Sequence, residues 1–130
     1  MSVKIKGQKK LLADLEQRFG AKHVQRVSDM ALVKGAQVFK KELEIQFESF
    51  KDEGYSIEEI TISEPMMIDG VRGVKIHWKG PHGRYRIIHL NEWGTVNNPN
   101  PKGKGAIARA IRNAEKEYAR VIKKALKDGL

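Results

Sequence analysis

The residues of this sequence best suited to chemistry are its histidines, at positions His23, His77, His82 and His89. If the segments around His77 and His89 are neighbouring strands of one hairpin, their imidazoles face each other, and Glu92 adds a nearby carboxylate. A zinc or nuclease site needs further ligands at a compatible spacing, and the sequence does not supply them. Structural histidines beside aromatic neighbours are the simpler interpretation. We therefore expect no metal, no cofactor and no catalytic residue.

A second candidate is the stretch Lys102-Gly103-Lys104-Gly105, which directly precedes a predicted helix. Backbone N–H groups at a helix start can bind an anion, so a phosphate or a carboxylate could lie there. The spacing matches no phosphate-binding fingerprint, and the sequence has no Walker-type loop. A flexible linker explains the same residues equally well, and the sequence leaves both interpretations open.

The third candidate is Glu92-Trp93-Gly94-Thr95. The Glu92 carboxylate can accept N–H bonds from the following turn or from a neighbouring subunit. Trp93 is typical of either a core residue or an interface anchor. Gly94 supplies the backbone freedom of a bend, and Thr95 can bond back to the chain locally. Turn architecture alone stays open beside the interface interpretation.

The segment Val96–Gly105 is predicted to be a basic loop between two regular elements. Pro99 and Pro101 remove two amide donors and favour extended geometry at Asn98 and Asn100. We expect this loop to become ordered only when a neighbouring copy or a partner protein captures it.

Hydrophobic periodicity predicts three helices that position these candidates. A short helix runs from Gln8 to Phe19, a long helix from about Ala21 to Asp52, and a basic final helix from Ala106 to Lys127. Gly35 lies midway along the long helix. There it either allows a close crossing with another helix or marks a bend.

Three strands are predicted between the long helix and the final helix. They are Ser56–Glu64, Val71–Lys79 and Arg84–Leu90, with Asp69-Gly70 as a hairpin-type turn signal. The sequence thus predicts one α+β domain over residues 1–130. An antiparallel sheet of three to four strands packs against the long helix, with N-terminal and C-terminal helices in the order ααβββα.

Composition limits the classes of function. Hydrophobic residues make up 40% of the chain, there is no cysteine, and the first residues show no secretory signal, which suits a reducing cytoplasm. No window approaches the roughly 20 apolar residues of a membrane span, so no membrane partner is expected.

The net charge of +9 is unevenly distributed: residues 1–30 carry +4, residues 31–69 carry −5 and residues 70–130 carry +10. A basic total favours nucleic-acid binding. An acidic middle beside a basic end favours self-association through complementary patches. A solvated charged surface explains the same distribution.

Both ends of the chain resemble a family of tailed-bacteriophage proteins. These are the small head–tail joining or tail-completion proteins, which are minor tail or neck components. The resemblance rests on Tyr85, Glu92-Trp93-Gly94-Thr95, the Pro99-x-Pro101 loop, an alanine-rich closing helix, and Val3-Lys4-Ile5-Lys6-Gly7 before a leucine-rich helix. Many relatives place an apolar anchor after the second proline, where this chain has Lys102-Gly103-Lys104-Gly105.

The resemblance implies a structural role in the virion, at the head–tail interface, after synthesis in the host bacterial cytoplasm. It implies a ring, commonly a hexamer, that contacts the head adaptor or connector and the tail-tube or tail-terminator proteins. We expect the acidic surface of the long helix in one copy to meet the basic C-terminal region of the next. The expected interface residues are Glu92, Trp93, Gly94, Thr95, Asn98, Pro99, Pro101, Lys102, Lys104, Arg109 and Arg112.

The alternative function is that of a basic accessory protein that binds nucleic acid without sequence specificity. The C-terminal helix is basic on several sides, and the predicted sheet adds Lys75, Lys79, Arg84 and Arg86. The sequence contains no recognised reader motif, so any DNA contact is expected to be sequence-independent and sensitive to salt.

Overall fold

A computed structural model describes residues 2–6, 9–51 and 54–130 of the chain. Its regular elements are β1 (Val3–Lys6), α1 (Lys9–Phe19), α2 (Ala21–Glu48), α3 (Tyr55–Glu58), β2 (Ile60–Ile62), β3 (Met66–Ile68), β4 (Val71–Trp78), a 3-10 turn (Arg84–Arg86), α4 (Ile88–Trp93) and α5 (Ala106–Gly129). Helices occur together with one antiparallel sheet, which confirms the predicted α+β class.

The central strand of the sheet is β4, because every other strand pairs with it. β1 lies along one edge, with Val3 opposite Ile76 and Lys6 opposite Gly73. β2 and β3 share the other edge, β2 beside the end of β4 and β3 beside its start. All pairings are antiparallel, so the predicted sheet of three to four strands is confirmed, with four. β1 and β3 are strands that were not among the three predicted from the sequence.

The turn between β3 and β4 is Asp69-Gly70, as the sequence predicted. Ile68 pairs with Val71, so only these two residues connect the strands. Asp69 has φ 50° and Gly70 has φ 83°. A two-residue turn of type I′ requires this left-handed conformation at both positions, and Asp is one of the few residues other than glycine that tolerate it.

One face of the sheet packs on α2. Alternation along β4 places Val74, Ile76 and Trp78 on this face, and each is at most 3% exposed. The Trp78 indole N–H donates to the Ser56 carbonyl oxygen at 2.8 Å, and its ring stacks on Phe47 of α2 with centroids 5.8 Å apart. The predicted packing of the sheet against the long helix is therefore confirmed.

α2 and α5 cross closely at Gly35. A Cβ atom at this position would lie 2.5 Å from Cε2 of Tyr118 on α5, so the crossing requires glycine. The Tyr118 ring also packs against Phe39 of α2, with centroids 4.9 Å apart. Of the two interpretations of Gly35, the close crossing is confirmed. The same burial raises the pKa of the Tyr118 hydroxyl.

The predicted third strand, Arg84–Leu90, is wrong, because this segment forms the 3-10 turn and α4. β1 already pairs with one edge of β4, and β2 and β3 pair with the other. Within α4 the buried residues are Ile88 and Glu92, four positions apart, which is a helical spacing. The predicted strand Ser56–Glu64 is also divided, since α3 forms its beginning and only Ile60–Ile62 stays in the sheet.

These differences correct the predicted order ααβββα. β1 precedes the helices, α3 is inserted before β2, β3 is added between β2 and β4, and α4 replaces the last predicted strand. The three predicted helices are confirmed, with differences at their ends. α2 ends at Glu48, and α5 continues to Gly129. The predicted helix ends at Gln8 and Asp52 lie outside the described residues.

Candidate interface around Trp93

Glu92, near the end of α4, is buried although it carries a carboxylate, with only 4% of its surface exposed. Its Oε1 atom accepts the backbone N–H of Ile107 at 2.7 Å, and its Oε2 atom accepts that of Ala108 at 3.2 Å. Its carbonyl oxygen accepts the N–H of Gly105 at 3.0 Å. Glu92 therefore caps the N-terminus of α5, where its negative charge meets the positive end of the helix dipole.

The anion at the start of α5 is thus the chain's own carboxylate. Since the N–H groups of Ile107 and Ala108 are already bonded to Glu92, the position predicted for an external anion is filled from within the subunit. The preceding glycines are not a free linker either. Gly103 is buried, and a Cβ atom there would lie 2.6 Å from Cε2 of Phe50. Both interpretations of the glycine-rich stretch are therefore corrected.

The turn after α4 is tight and bonded to itself. Gly94 has φ 81°, and a Cβ atom there would lie 2.5 Å from the Pro99 carbonyl oxygen. The Thr95 N–H donates to the Asn98 carbonyl oxygen at 2.9 Å, and the Asn98 N–H donates to Thr95 Oγ1 at 2.9 Å. The predicted bend at Gly94 and the predicted local bonding of Thr95 are both confirmed.

The rest of the Val96–Gly105 segment also folds back on its own subunit. Lys104 Nζ donates to the Pro99 carbonyl oxygen at 2.9 Å and to Asn100 Oδ1 at 3.2 Å. The Lys104 N–H donates to the Pro101 carbonyl oxygen at 3.0 Å. Two prolines with fixed φ angles and a lysine that bridges their segment form a closed turn without a partner. The expectation that this segment orders only on capture is therefore corrected.

Two large apolar side chains project from this turn. Trp93 is 69% exposed, and Val96 is fully exposed at 100%. Asn98 and Pro99 belong to the same turn and are exposed as well. We call these four residues the Trp93 corner. The core interpretation of Trp93 is excluded, and the interface interpretation stays as a prediction with an exposed aromatic ring to support it.

Besides Lys104, the cationic residues of the predicted interface divide into two groups. Arg109 joins three parts of its own subunit, because its Nε donates to Gln46 Oε1 on α2 at 3.0 Å and its Nη1 donates to the Lys104 carbonyl oxygen at 2.8 Å. Lys102 and Arg112 are exposed. Arg109 therefore has a structural role within the subunit, whereas Lys102 and Arg112 lie at the surface where a partner can reach them.

The long and final helices, which were predicted to meet between copies, pack along each other within one subunit. Asn113 of α5 donates to Glu42 Oε1 of α2 at 3.2 Å, beside the bond between Arg109 and Gln46. Their inner faces are therefore occupied. Contact between copies through these helices stays a prediction for their outer faces.

The structure separates the two histidines that were predicted to share a hairpin. His77 lies on β4 opposite Thr61, whereas His89 lies on α4. The facing pair is therefore wrong, because the third strand does not form. Within the described part of the chain, no three His, Asp or Glu side chains are grouped to hold a metal ion. That the chain is not an enzyme stays a prediction.

A second buried carboxylate, Glu59, was not among the predicted site residues. It is 3% exposed; its Oε2 accepts the His82 N–H at 3.0 Å and its Oε1 accepts the Arg84 N–H at 3.1 Å. Arg84 Nε donates to Ser56 Oγ at 2.7 Å, and the His82 ring stacks on Tyr55 with centroids 3.4 Å apart. Glu59 therefore fixes the turn that follows β4. No local signal marks it, since its partners lie 23 and 25 residues away.

A cavity of about 380 Å³ lies beside this second turn. Phe47, Phe50 and Ile87 give it apolar walls, and Arg84 and Asn91 add polar groups. The described residues that line it include neither a histidine nor a carboxylate. It therefore brings together no acid–base pair from the predicted candidates.

No protein-family model matches this chain, and neither a curated protein nor a solved structure matches it. In the part of the chain that the structure describes, no helix has both the length and the apolar character that crossing a membrane requires. A functional proposal therefore depends on the geometry of the Trp93 corner and on the resemblance carried by the sequence.

Proposed function

We propose that this chain is a structural subunit of a tailed-phage or prophage particle, acting at the head–tail joint or the tail end. In this role it assembles as a ring and contacts the head connector on one side and tail-tube or tail-terminator proteins on the other. The sequence resemblance supports this class of protein. The virion is the corresponding location.

The observation that carries the proposal is the exposed ring of Trp93 on a turn that buried contacts hold in place. Burying the exposed 69% of this side chain against a partner would contribute roughly 3 kcal/mol by area. Tryptophan is enriched among the few residues that supply most of the binding free energy of protein interfaces. An exposed Trp beside an exposed Val is therefore best explained as a contact surface.

The turn that carries Trp93 is already ordered in the single subunit. Glu92 bonds the start of α5, Gly94 lies against the Pro99 carbonyl, and Lys104 bridges the proline segment. A preformed surface loses less conformational entropy on binding than a loop that must first fold. We therefore infer docking of a rigid corner, in place of the partner-induced ordering that the sequence suggested.

Deletion of the gene from the genome that encodes it tests this function. We expect particle preparations with separate heads and tails, counted by negative-stain electron microscopy, because the joint lacks a component. Complementation with the natural chain should restore joined particles, whereas Trp93→Ala should not. Met30→Ala is the matched control, since Met30 is 56% exposed on α2 and does not belong to the Trp93 corner.

Thermal unfolding of the purified variants accompanies the particle counts. Both side chains are exposed, so each variant should unfold close to the natural protein. Normal particles without the gene would overturn the proposal. Full restoration by Trp93→Ala would overturn the assigned role of the corner.

A further inference from the structure

The face of the sheet opposite α2 carries a set of lysines in register. Side chains alternate along a strand, so the positions between the buried Ile5, Val74 and Ile76 point away from the core. On β1 and β4 these positions include Lys4 and Lys75, which are direct cross-strand partners. Lys6 and Lys79 occupy further positions of the same alternation, one on β1 and one just beyond the end of β4. We call Lys4, Lys6, Lys75 and Lys79 the lysine face.

The charges on this face are not balanced. Like charges directly opposite each other destabilise a strand pair, and Lys4 and Lys75 are such a pair. The carboxylate beside them is Asp69, whose Oδ2 accepts a bond from Lys6 Nζ at 2.6 Å. That bond, with the charges of Lys6, Lys4 and Lys75, lowers the pKa of Asp69. Three lysines therefore act on one carboxylate, which leaves a positive surface.

The composition of the lysine face suits a phosphate backbone better than a protein. Lysine is depleted at protein–protein interfaces, which depend on apolar anchors. The strongly exposed large hydrophobic residues of the described chain, such as Met67, Trp93 and Val96, lie outside this register. Phosphate contacts require only cations at the surface of a rigid element.

The final helix is a weaker candidate for the same role. Glu115, Glu117 and Asp128 interrupt its exposed cations, and both Nε and Nη2 of Arg120 bond to the Glu117 carboxylate. Its cations therefore share their surface with carboxylates along most of the helix. On the lysine face only Lys6 is paired with a carboxylate of the described residues, and the other three lysines lie on or next to a rigid sheet.

We propose that the lysine face binds the phosphate backbone of duplex DNA without reading its sequence. The proposal does not rest on the assembly role of the Trp93 corner. It involves other residues and another surface, so each can fail alone. A subunit of this kind could contact a partner protein with its corner and DNA with its sheet.

The experiment measures binding of the full chain to a labelled duplex of mixed sequence by fluorescence anisotropy at several salt concentrations. Each phosphate contact contributes about 0.9 to the slope of log affinity against log salt. Lys4→Gln combined with Lys75→Gln should therefore reduce the magnitude of the slope by about 2 and weaken binding at low salt. Removing the opposed charges should not reduce the unfolding temperature.

Asp69→Asn should change the DNA affinity in the opposite direction to the lysine substitutions. It removes the carboxylate that bonds Lys6, and Asn tolerates the left-handed φ of 50° at this turn position. We expect tighter binding and a steeper salt slope than for the natural chain. Thermal unfolding of this variant accompanies the binding measurement, because a basic chain that loses its fold can also bind DNA more tightly. Unchanged or weaker binding by a folded Asp69→Asn chain would contradict the proposal.

The matched control is Lys123→Gln combined with Lys124→Gln, two exposed lysines of α5 with the same loss of charge. This variant should keep the natural salt slope. The proposal is overturned if the control loses as much binding as the sheet variant, or if the natural chain does not bind the duplex. It is also overturned if polyglutamate displaces the duplex at equal charge concentration, since the face would then suit an acidic protein surface.

Discussion

The chain contains two turns that are organised in the same way, each around a buried carboxylate. Glu92 bonds two backbone N–H groups at the start of α5, and Glu59 bonds two in the turn after β4. Each residue is at most 4% exposed. The surroundings differ. In the Glu59 turn the His82 ring is exposed but stacks on the half-buried Tyr55 of α3, whereas Trp93 beside Glu92 is 69% exposed.

This difference distinguishes a turn that stabilises the fold from a turn that presents a side chain to a partner. A buried carboxylate that accepts two N–H bonds fixes a turn in either place. Around Glu59 the fixed turn serves the fold, since His82 stacks on Tyr55 of α3 and Arg84 donates to Ser56 of α3. Around Glu92 the fixed turn leaves 69% of Trp93 in contact with water, and this exposed part adds no hydrophobic stabilisation to the single subunit. The second arrangement is expected where the stabilising contact comes from a partner.

The largest expected effect is the loss of stability in Glu92→Ala. The substitution removes two charge-assisted bonds and the charge at the N-terminus of a 24-residue helix, so we expect destabilisation by roughly 3 kcal/mol. Glu59→Ala should cost roughly 2 kcal/mol, because its donors belong to a short turn without a comparable dipole. Guanidinium unfolding measures both values.

The variants Glu92→Gln and Glu59→Gln serve as controls, since the Gln side chain has the shape of Glu and keeps one acceptor oxygen. They should lie between the natural chain and the Ala variants. Equal losses of stability for Glu92→Ala and Glu59→Ala would show that the helix dipole adds nothing at Glu92. The electrostatic difference between the two turns would then be wrong.

The next largest effects concern the glycine in each turn. Gly94→Ala combines a φ of 81° with a contact of 2.5 Å to a backbone oxygen, so we expect a loss of about 2 kcal/mol. Gly80→Ala places its Cβ atom 2.6 Å from Cγ of Glu59, but Gly80 does not have a positive φ, so a smaller loss of about 1 kcal/mol is expected. Chemical unfolding of both variants measures the two losses of stability and shows which is larger. The reverse order would mean that the Glu59 turn is the more rigid of the two.

The smallest effect is a loss of stability at alkaline pH that belongs to neither turn. Burial against Gly35 and Phe39 raises the pKa of Tyr118 above its ordinary value near 10. The folded chain therefore favours the neutral phenol. Its contribution is complete below pH 10 or so and is lost as the pH rises through the folded pKa.

Unfolding midpoints between pH 9 and pH 11 test this effect, with Tyr118→Phe as the control that cannot ionise. The natural chain should lose stability relative to Tyr118→Phe across this range. Parallel curves for the two proteins would contradict a buried Tyr118. Either result leaves the comparison of the two turns unchanged, because Tyr118 belongs to neither turn.

The helices and part of the sheet could be predicted from the sequence because their signals are local. The spacing of apolar residues marks α2 and α5, and Asp69-Gly70 marks its hairpin. The segment Arg84–Leu90 could not be assigned in this way. Its residues are apolar on both sides, and only the occupied edges of β4 exclude it from the sheet.

The site could be predicted only in part, because only some of its contacts join residues that are close in sequence. The sequence identified Glu92 as an acceptor of backbone N–H bonds. It placed the donors in the following turn or in a neighbouring subunit, and this was wrong, because they belong to Ile107 and Ala108 at the start of α5, 15 and 16 residues away. It could not identify the packing of Gly103 on Phe50 or the bonds of Glu59 to a turn more than twenty residues away. Those contacts depend on the tertiary structure, which brings distant segments together.

The central claim is that Trp93 is exposed in the single subunit and becomes buried on assembly. Trp78 is already in the core, so a change in tryptophan emission on mixing the chain with connector-bearing heads reports on Trp93. We predict a shift to shorter wavelength that is absent in Trp93→Phe. Binding of the chain to such heads, shown by co-sedimentation, without any shift would contradict the claim.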